Sequence, residues 1–124
     1  MSKLKKELDR VVSLLVRQTE ARKHDGIIYC YTCNKALTVK TAQCGHFVSR
    51  MYLATRWDLD NLRCQCVGCN VWGRGKLLDF EDNLVEEIGD VKVEFLKESR
   101  KQLCKLNREW YEKRIAYFKG LLEP

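Results

Sequence analysis

Residues 30–70, CYTCNKALTVKTAQCGHFVSRMYLATRWDLDNLRCQCVGCN, decide how this chain folds. The stretch opens on Cys30 and Cys33 and closes on Cys66 and Cys69, two C-x2-C pairs. Four cysteines so arranged are the donor set of a tetrahedral zinc site, and four thiolates leave no coordination position for water or substrate. The zinc is therefore expected to be scaffold, with the chemistry inside the loop it closes. The 32 residues between Cys33 and Cys66 exceed the roughly 15–20 of a simple zinc ribbon, so they must form structure of their own. Cys44, Cys64 and Cys104 read as small buried residues, with Cys64 the substitute ligand if Cys66 is not used.

Inside and just ahead of that loop, Ile27 to Tyr31 is a short β-branched and aromatic run, and Ala36 to Ala42 is strand-like. Phe47 and Val48 extend the chain after His46. The stretch to Asp60 lacks periodicity and reads as a loop before a second strand at Leu62 to Gln65. Val67 to Trp72 begins a short helix carrying Cys69 and Asn70. Outside the loop, Leu4, Leu8, Val11, Val12, Leu15 and Val16 mark one face of an amphipathic helix over 2–23, ending near Asp25-Gly26. After Gly73 and Gly75, Leu77 to Ile88 reads as a helix stopped by Gly89. Leu96, Leu103, Trp110 and Tyr117, spaced by seven, predict one long last helix, as a core seam against the first helix or as a dimer contact.

Length places all 124 residues in one domain, with an N-terminal helix over 1–29, the zinc-bound core over 30–76 and C-terminal helices over 77–124. Seven cysteines, an odd number without an apolar leader, point to a reducing compartment and a cytoplasmic location. No apolar run is long enough to span a bilayer, so no membrane role is expected. The net charge of +6 divides unevenly: seven Lys/Arg against four Asp/Glu in 1–29, seven against two in 30–76, nine against eleven in 77–124. The basic middle, with Arg50, Arg56, Arg63, Arg74 and Lys76, is the footprint of a surface that grips phosphates. A solvated face is the bland alternative, and co-location with the metal motif favours nucleic acid.

His46 follows Gly45, where a missing side chain lets substrate or metal approach. A histidine near its ordinary pKa of about 6.5 can take a proton from water at neutral pH, as phosphodiester hydrolysis requires. Asn61 and Asn70 lie fifteen and twenty-four residues downstream. His24, ending a charged helix, reads as structural. Trp57 and Trp72 could stack on bases, although tryptophans in small domains more often sit in the core.

The order His46, Asn61, Cys66-Val67-Gly68-Cys69-Asn70 resembles the HNH endonucleases. Cys30-Tyr31-Thr32-Cys33, Gly45-His46-Phe47, Gln65 to Asn70, Gly75 and Leu84 to Gly89 are similar to the NinG (Rap) recombination endonucleases of lambdoid phages, over Cys30 to about Leu96. The resemblance implies an α+β fold, mostly helical: a zinc-stapled ββα-metal (HNH-like) core flanked by N- and C-terminal helices. It implies a metal-dependent endonuclease that cuts branched DNA such as Holliday junctions and D-loops, phage-encoded and working as a homodimer in the bacterial cytoplasm. His46 would be the general base. Asn61 would orient the imidazole or steady its loop, and Asn70 with Asn61 would hold a catalytic Mg2+ or Mn2+. The family pattern allows an acidic residue where this chain has Gln43 and a histidine where it has Trp72. Asp58 or Asp60 could supply the missing charge, with turn capping their favoured reading. The chain is also read without the long N-terminal segment of the phage proteins, which puts DNA contacts on the core and helices. The rival readings are a non-catalytic zinc-containing nucleic-acid-binding module, a nonspecific HNH nickase and a protein adaptor.

Overall fold

The computed structural model describes residues 2–124. The apolar stripe near the N-terminus makes α1 (Ser2–Lys23), which buries Leu8, Val11, Val12 and Leu15, each worth roughly 1.5–3 kcal/mol when fully removed from water. It ends where expected: Asp25 and Gly26 turn left-handed, and the Gly26 N–H reaches the Ala21 carbonyl at 2.7 Å. Two short strands, β1 (Ile28–Tyr29) and β2 (Ala36–Leu37), pair antiparallel and pinch the turn carrying Cys30 and Cys33. Next come β3 (Gln43–His46), α2 (Leu53–Arg56), a 3-10 turn at Leu59–Asn61 and β4 (Leu62–Gln65). β3 and β4 pair antiparallel, with Cys44 opposite Cys64 and His46 opposite Leu62. The chain read as a loop before Asp60 thus contains α2 and the 3-10 turn, elements too short to show periodicity.

A single π-helical turn, Gly68–Trp72, follows β4. α3 (Leu77–Ile88) and α4 (Asp90–Ser99) then pack together around Gly89, whose φ of 91° suits glycine alone. The expected long last helix is not there. Residues 100–107 are not helical, and α5 (Arg108–Leu121) starts afresh at Asn107, whose side chain accepts the Trp110 N–H at 2.9 Å. This break splits the seven-residue stripe. Leu96 is buried with Phe80, Leu84 and Val93, Leu103 is 98% exposed and Tyr117 59% exposed. α5 does pack on α1, but through Tyr111, Ile115 and Phe118, at i, i+4 and i+7, one position beyond the face the stripe predicted. A strict seven-residue repeat drifts around a 3.6-residue helix, so the better-centred stripe takes the core.

Three apolar clusters result: α1 with α5, Trp57 and Leu62; the cysteine knuckles with Ala21, Ile28 and Leu37; and α3 with α4, Phe47 and Val48. Ala42 enters the second, Cys44 packs on the first, and Phe47 and Val48 enter the third. The strand bearing His46 is therefore pinned where three cores meet.

Candidate functional site

The Sγ atoms of Cys30, Cys33, Cys66 and Cys69 lie within 4.8 Å of one another. Cys33 and Cys66 stand 3.7 Å apart, close to the edge of about 3.8 Å that a tetrahedron with zinc–sulfur bonds of about 2.3 Å requires. Two backbone N–H groups already point at sulfur, from Cys66 to Cys30 at 3.3 Å and from Cys69 to Cys66 at 3.4 Å. Burial raises the Cys30 thiol, but the Cys66 N–H and donors from Thr32 and Cys33 outweigh it and bring it down to about 6. Burial and adjacent thiols push Cys69 up to about 12. A cation would stabilise the Cys33 and Cys69 thiolates, which their surroundings disfavour, and four sulfurs at tetrahedral spacing fit zinc. Among the described residues it is the only group of three or more such donors close enough to share an ion. Cys64, the substitute ligand, instead packs in the core with its thiol toward the Val16 carbonyl.

His46 ends β3 with Nε2 at 3.0 Å from the Arg56 carbonyl oxygen. A carbonyl can only accept, so Nε2 carries the proton and Nδ1 keeps its lone pair. Burial lowers the pKa, against the opposing pull of the Arg56 carbonyl and Asp9, so the ring is a neutral base at pH 7. The imidazole walls two clefts. One, of about 410 Å3, includes Asp9, Arg17, Lys40, Arg50 and Arg56; the other, of about 440 Å3, includes Ser49, Arg50, Asn70 and Arg74. His46 and Asn70 are thereby brought to one cleft. The Asn70 side-chain N–H donates to Gln43 Oε1 at 2.8 Å, which leaves its Oδ1 as the end available to a hard cation. No carboxylate lines that cleft, so the residues fit Mg2+ or Mn2+ only as a partial cage.

Asn61 does something different. It is fully buried; its Oδ1 accepts the Val48 N–H at 2.7 Å, and its Nδ2 donates to the Val48 and Thr55 carbonyls at 3.0 and 3.1 Å. The loop-steadying role matches this geometry and the ligand role does not, because the amide faces backbone at both ends. Gly45 is corrected too. A Cβ there would lie 2.0 Å from Gln65 Oε1, so the glycine makes room for Gln65 rather than for substrate. Gln65, which the sequence marks only as a strand end and the start of the second cysteine motif, donates to Thr32 Oγ1 at 3.1 Å and to the Gly75 carbonyl at 2.8 Å. It ties the cysteine knuckle to the 74–76 loop.

The five cations separate. Arg56, 14% exposed, grips Asp9 through Nε and Nη2 at 3.1 and 2.6 Å. Arg63, equally buried, meets Glu87 and the Leu59, Asp60 and Leu62 carbonyls. Those two are structural, not phosphate ligands. Arg50 touches Asp9 at 2.9 Å yet stays 63% exposed. Arg74 and Lys76 are exposed and, with Gly75 between them, form three successive left-handed residues. That conformation costs roughly 1–2 kcal/mol per non-glycine residue, the kind of strain that concentrates at functional loops. Trp57 is buried, its indole N–H on Asp9 at 2.8 Å, while Trp72 is exposed. Asp58 caps the 3-10 turn by accepting the Asp60 N–H. Asp9, also missed, organises Arg50, Arg56 and Trp57 together; its one signal is a carboxylate beside the apolar stripe of α1.

No helix among the described residues is long and apolar enough to cross a membrane. Comparison with curated proteins and with solved structures gives no match. A family model described as NinG, Bacteriophage Lambda NinG protein, matches residues 1–123, and the chain therefore belongs to the NinG family.

Proposed function

We propose that this chain is a metal-dependent, structure-selective DNA endonuclease that hydrolyses phosphodiesters in branched recombination intermediates, Holliday junctions and D-loops among them, in a phage-infected bacterial cell. In this reading β3, β4 and the helical turn after them are the ββα-metal unit of an HNH nuclease. The observation that carries it is the His46 imidazole, whose Nδ1 lone pair is left free by the Arg56 carbonyl on a wall between two cation-lined clefts.

His46 Nδ1 takes a proton from water, whose oxygen attacks phosphorus as the bond to the leaving oxygen breaks, and the departing alkoxide takes a proton from solvent to become a free hydroxyl. Arg50, Arg74, Lys76 and Lys40 hold flanking phosphates, a contact blind to sequence and weakened by salt. Asn61 keeps the loop after His46 in register. Asn70 Oδ1 would hold Mg2+ or Mn2+, which when bound stabilises charge on the scissile phosphate. Symmetric cutting of a four-way junction needs two sites, so the working form is a homodimer. α1 and α5 use apolar faces on each other, and the exposed apolar residues of α3 and α4, with Leu78, Val91 and Phe95 foremost, are the faces open to a partner copy. Sedimentation showing a monomer both with and without junction DNA would remove the dimer.

A second reading, a zinc-containing nucleic-acid-binding module without catalysis, draws on the lack of a carboxylate in the Asn70 cleft. The test is cleavage of an end-labelled four-way junction and a matched linear duplex in Mg2+ and in Mn2+, by wild type and by zinc-loaded His46→Ala protein. Junction-selective cutting lost in the variant is expected. Equal cutting of both DNAs selects a nonspecific nickase, and tight binding without cutting selects the binding module.

A further inference from the structure

α5 carries a second face that the core uses only through Trp110. Tyr111, Ile115 and Phe118 turn to α1, whereas Trp110, Arg114 and Tyr117 line a cavity of about 520 Å3 whose lining also includes Asp58, Leu59 and Asp60. The seven-residue stripe that failed as a core seam thus survives as one wall of a cleft. The Arg114 guanidinium carbon lies over the Trp110 ring, 5.4 Å from its centre, and the Trp57 and Trp110 ring centres are 5.9 Å apart. Asp58 accepts the Asp60 N–H with Oδ1, which leaves its second oxygen as an acceptor.

Flat aromatic walls take a flat ring, carboxylates accept from amino and imino N–H groups, and a cation at the same site takes an anion. A nucleotide offers all three at once. A cationic peptide would satisfy the rings and the carboxylates but would meet Arg114, and α5 is itself basic, with Arg108, Lys113, Arg114 and Lys119 against Glu109 and Glu112. The volume lies within the range of roughly 300–1,000 Å3 usual for small-ligand clefts. Trp57 lines both this cavity and the more highly charged cleft beside His46, so the two are neighbours across one tryptophan.

We propose that the cavity between α5 and the Asp58–Asp60 turn accepts an unpaired nucleobase of the DNA, stacked on the exposed Tyr117 ring beside Trp110, with Arg114 on its phosphate and Asp58 or Asp60 accepting from its amino groups. This rests on the reading that the chain acts on branched DNA, whose junctions offer unpaired or readily unstacked bases.

The test uses the zinc-loaded protein without added Mg2+, a duplex with one bulged 2-aminopurine, and the same duplex fully paired. Wild type is expected to bind the bulged DNA more tightly and to change the 2-aminopurine emission. Tyr117→Ala, at an exposed position, should weaken bulge binding by about 5- to 150-fold, the equivalent of losing one aromatic–base stack, and leave paired-duplex binding unchanged. Tyr117→Phe should restore it. Bulge binding by Tyr117→Ala equal to wild type, or equal loss on both DNAs, overturns the site. An arginine-rich peptide that alters Trp110 emission where bulged DNA does not would assign the cavity to a protein partner instead. Intact cutting of DNA by wild type alongside any of these results removes this inference alone, whereas a wild type that binds neither DNA removes the nuclease reading with it.

Discussion

Replacing Asn61 with alanine separates two roles that the sequence left open, metal ligand and loop staple. Three backbone groups meet its amide: the Val48 N–H, the Val48 carbonyl and the Thr55 carbonyl. The Thr55 carbonyl also accepts the Asp58 N–H at 3.2 Å, so it keeps a partner. The two Val48 groups are left in a dry site, at about 1–3 kcal/mol for each unsatisfied group. With the small void that the truncation leaves, the loss comes to about 3–5 kcal/mol, a large share of the roughly 5–15 kcal/mol typical of a domain. For a chain of this size that is a fall in Tm of about 10–20 °C. Urea unfolding followed by tryptophan emission at saturating zinc reads it. Asn61→Asp tests the same geometry from the other side: its carboxylate still accepts from Val48 but faces two carbonyls. Burial and those carbonyls favour the protonated acid, so its penalty should shrink as pH falls. An Asn61→Ala protein within about 0.5 kcal/mol of wild type that has lost metal-dependent cutting would refute the staple and restore the ligand.

Three further outcomes follow from the same contacts. Stripping zinc with a strong chelator should unfold the protein, because structural zinc contributes about 10–16 kcal/mol in small zinc domains, as much as the fold itself; near-UV dichroism that survives stoichiometric zinc release would contradict this. Asp9→Asn should cost about 1.5–3 kcal/mol at neutral pH. Burial raises the Asp9 carboxyl, but Arg56 and Trp57 outweigh it and hold the pKa lowered. The contribution is therefore full above the unfolded value of about 3.9 and is lost as pH falls through the folded one. Denaturation curves of the two proteins should converge in acid, and a gap that persists there would sink the argument. Gly45→Ala should cost about 2–4 kcal/mol by displacing Gln65 from Thr32 and Gly75. Adding Gln65→Ala should then cost less than it does alone, and simple additivity in that cycle would count against the contact.

What could be read in advance was what depends on local pattern. The zinc cysteines declare themselves by spacing, α1 by its apolar face, and β4 by its run between two polar turns; all three are where the pattern put them. That His46 and Asn70 would face one site was implied only by the family resemblance, and both line one cleft. What escaped depends on partners far apart in sequence. Arg56 and Arg63 looked like phosphate ligands because their counter-charges, Asp9 and Glu87, lie 47 and 24 residues away. Gly45 read as an opening because nothing in the sequence says that the Gln65 side chain crosses it. The last helix was drawn too long because leucine at position 103 fits a heptad whether or not anything packs on it, and the capping of α5 by Asn107 outweighs that repeat.

The missing carboxylate beside Asn70 leads to a prediction about order of assembly. A hard cation such as Mg2+ takes near-octahedral oxygen ligands and gives up its waters reluctantly. Asn70 Oδ1 offers one neutral oxygen, and Gln43, in the position where the family pattern allows an acid, has its own oxygen on the Asn70 N–H. Most of the remaining ligands must then come from water and from the DNA phosphate. Mg2+ and DNA should accordingly raise each other's affinity by the same factor, since linkage is reciprocal. Calorimetric titration of Mg2+ into zinc-loaded protein should show no saturable site without DNA, and a site should emerge when the His46→Ala protein, which binds without cutting, is loaded with junction DNA, whose own affinity rises equally. Gln43→Glu keeps an acceptor for the Asn70 N–H and adds a negative charge, so it should create Mg2+ binding in the absence of DNA. Saturable binding to DNA-free wild type, or a Gln43→Glu protein no better than wild type, would mean that the ion sits elsewhere.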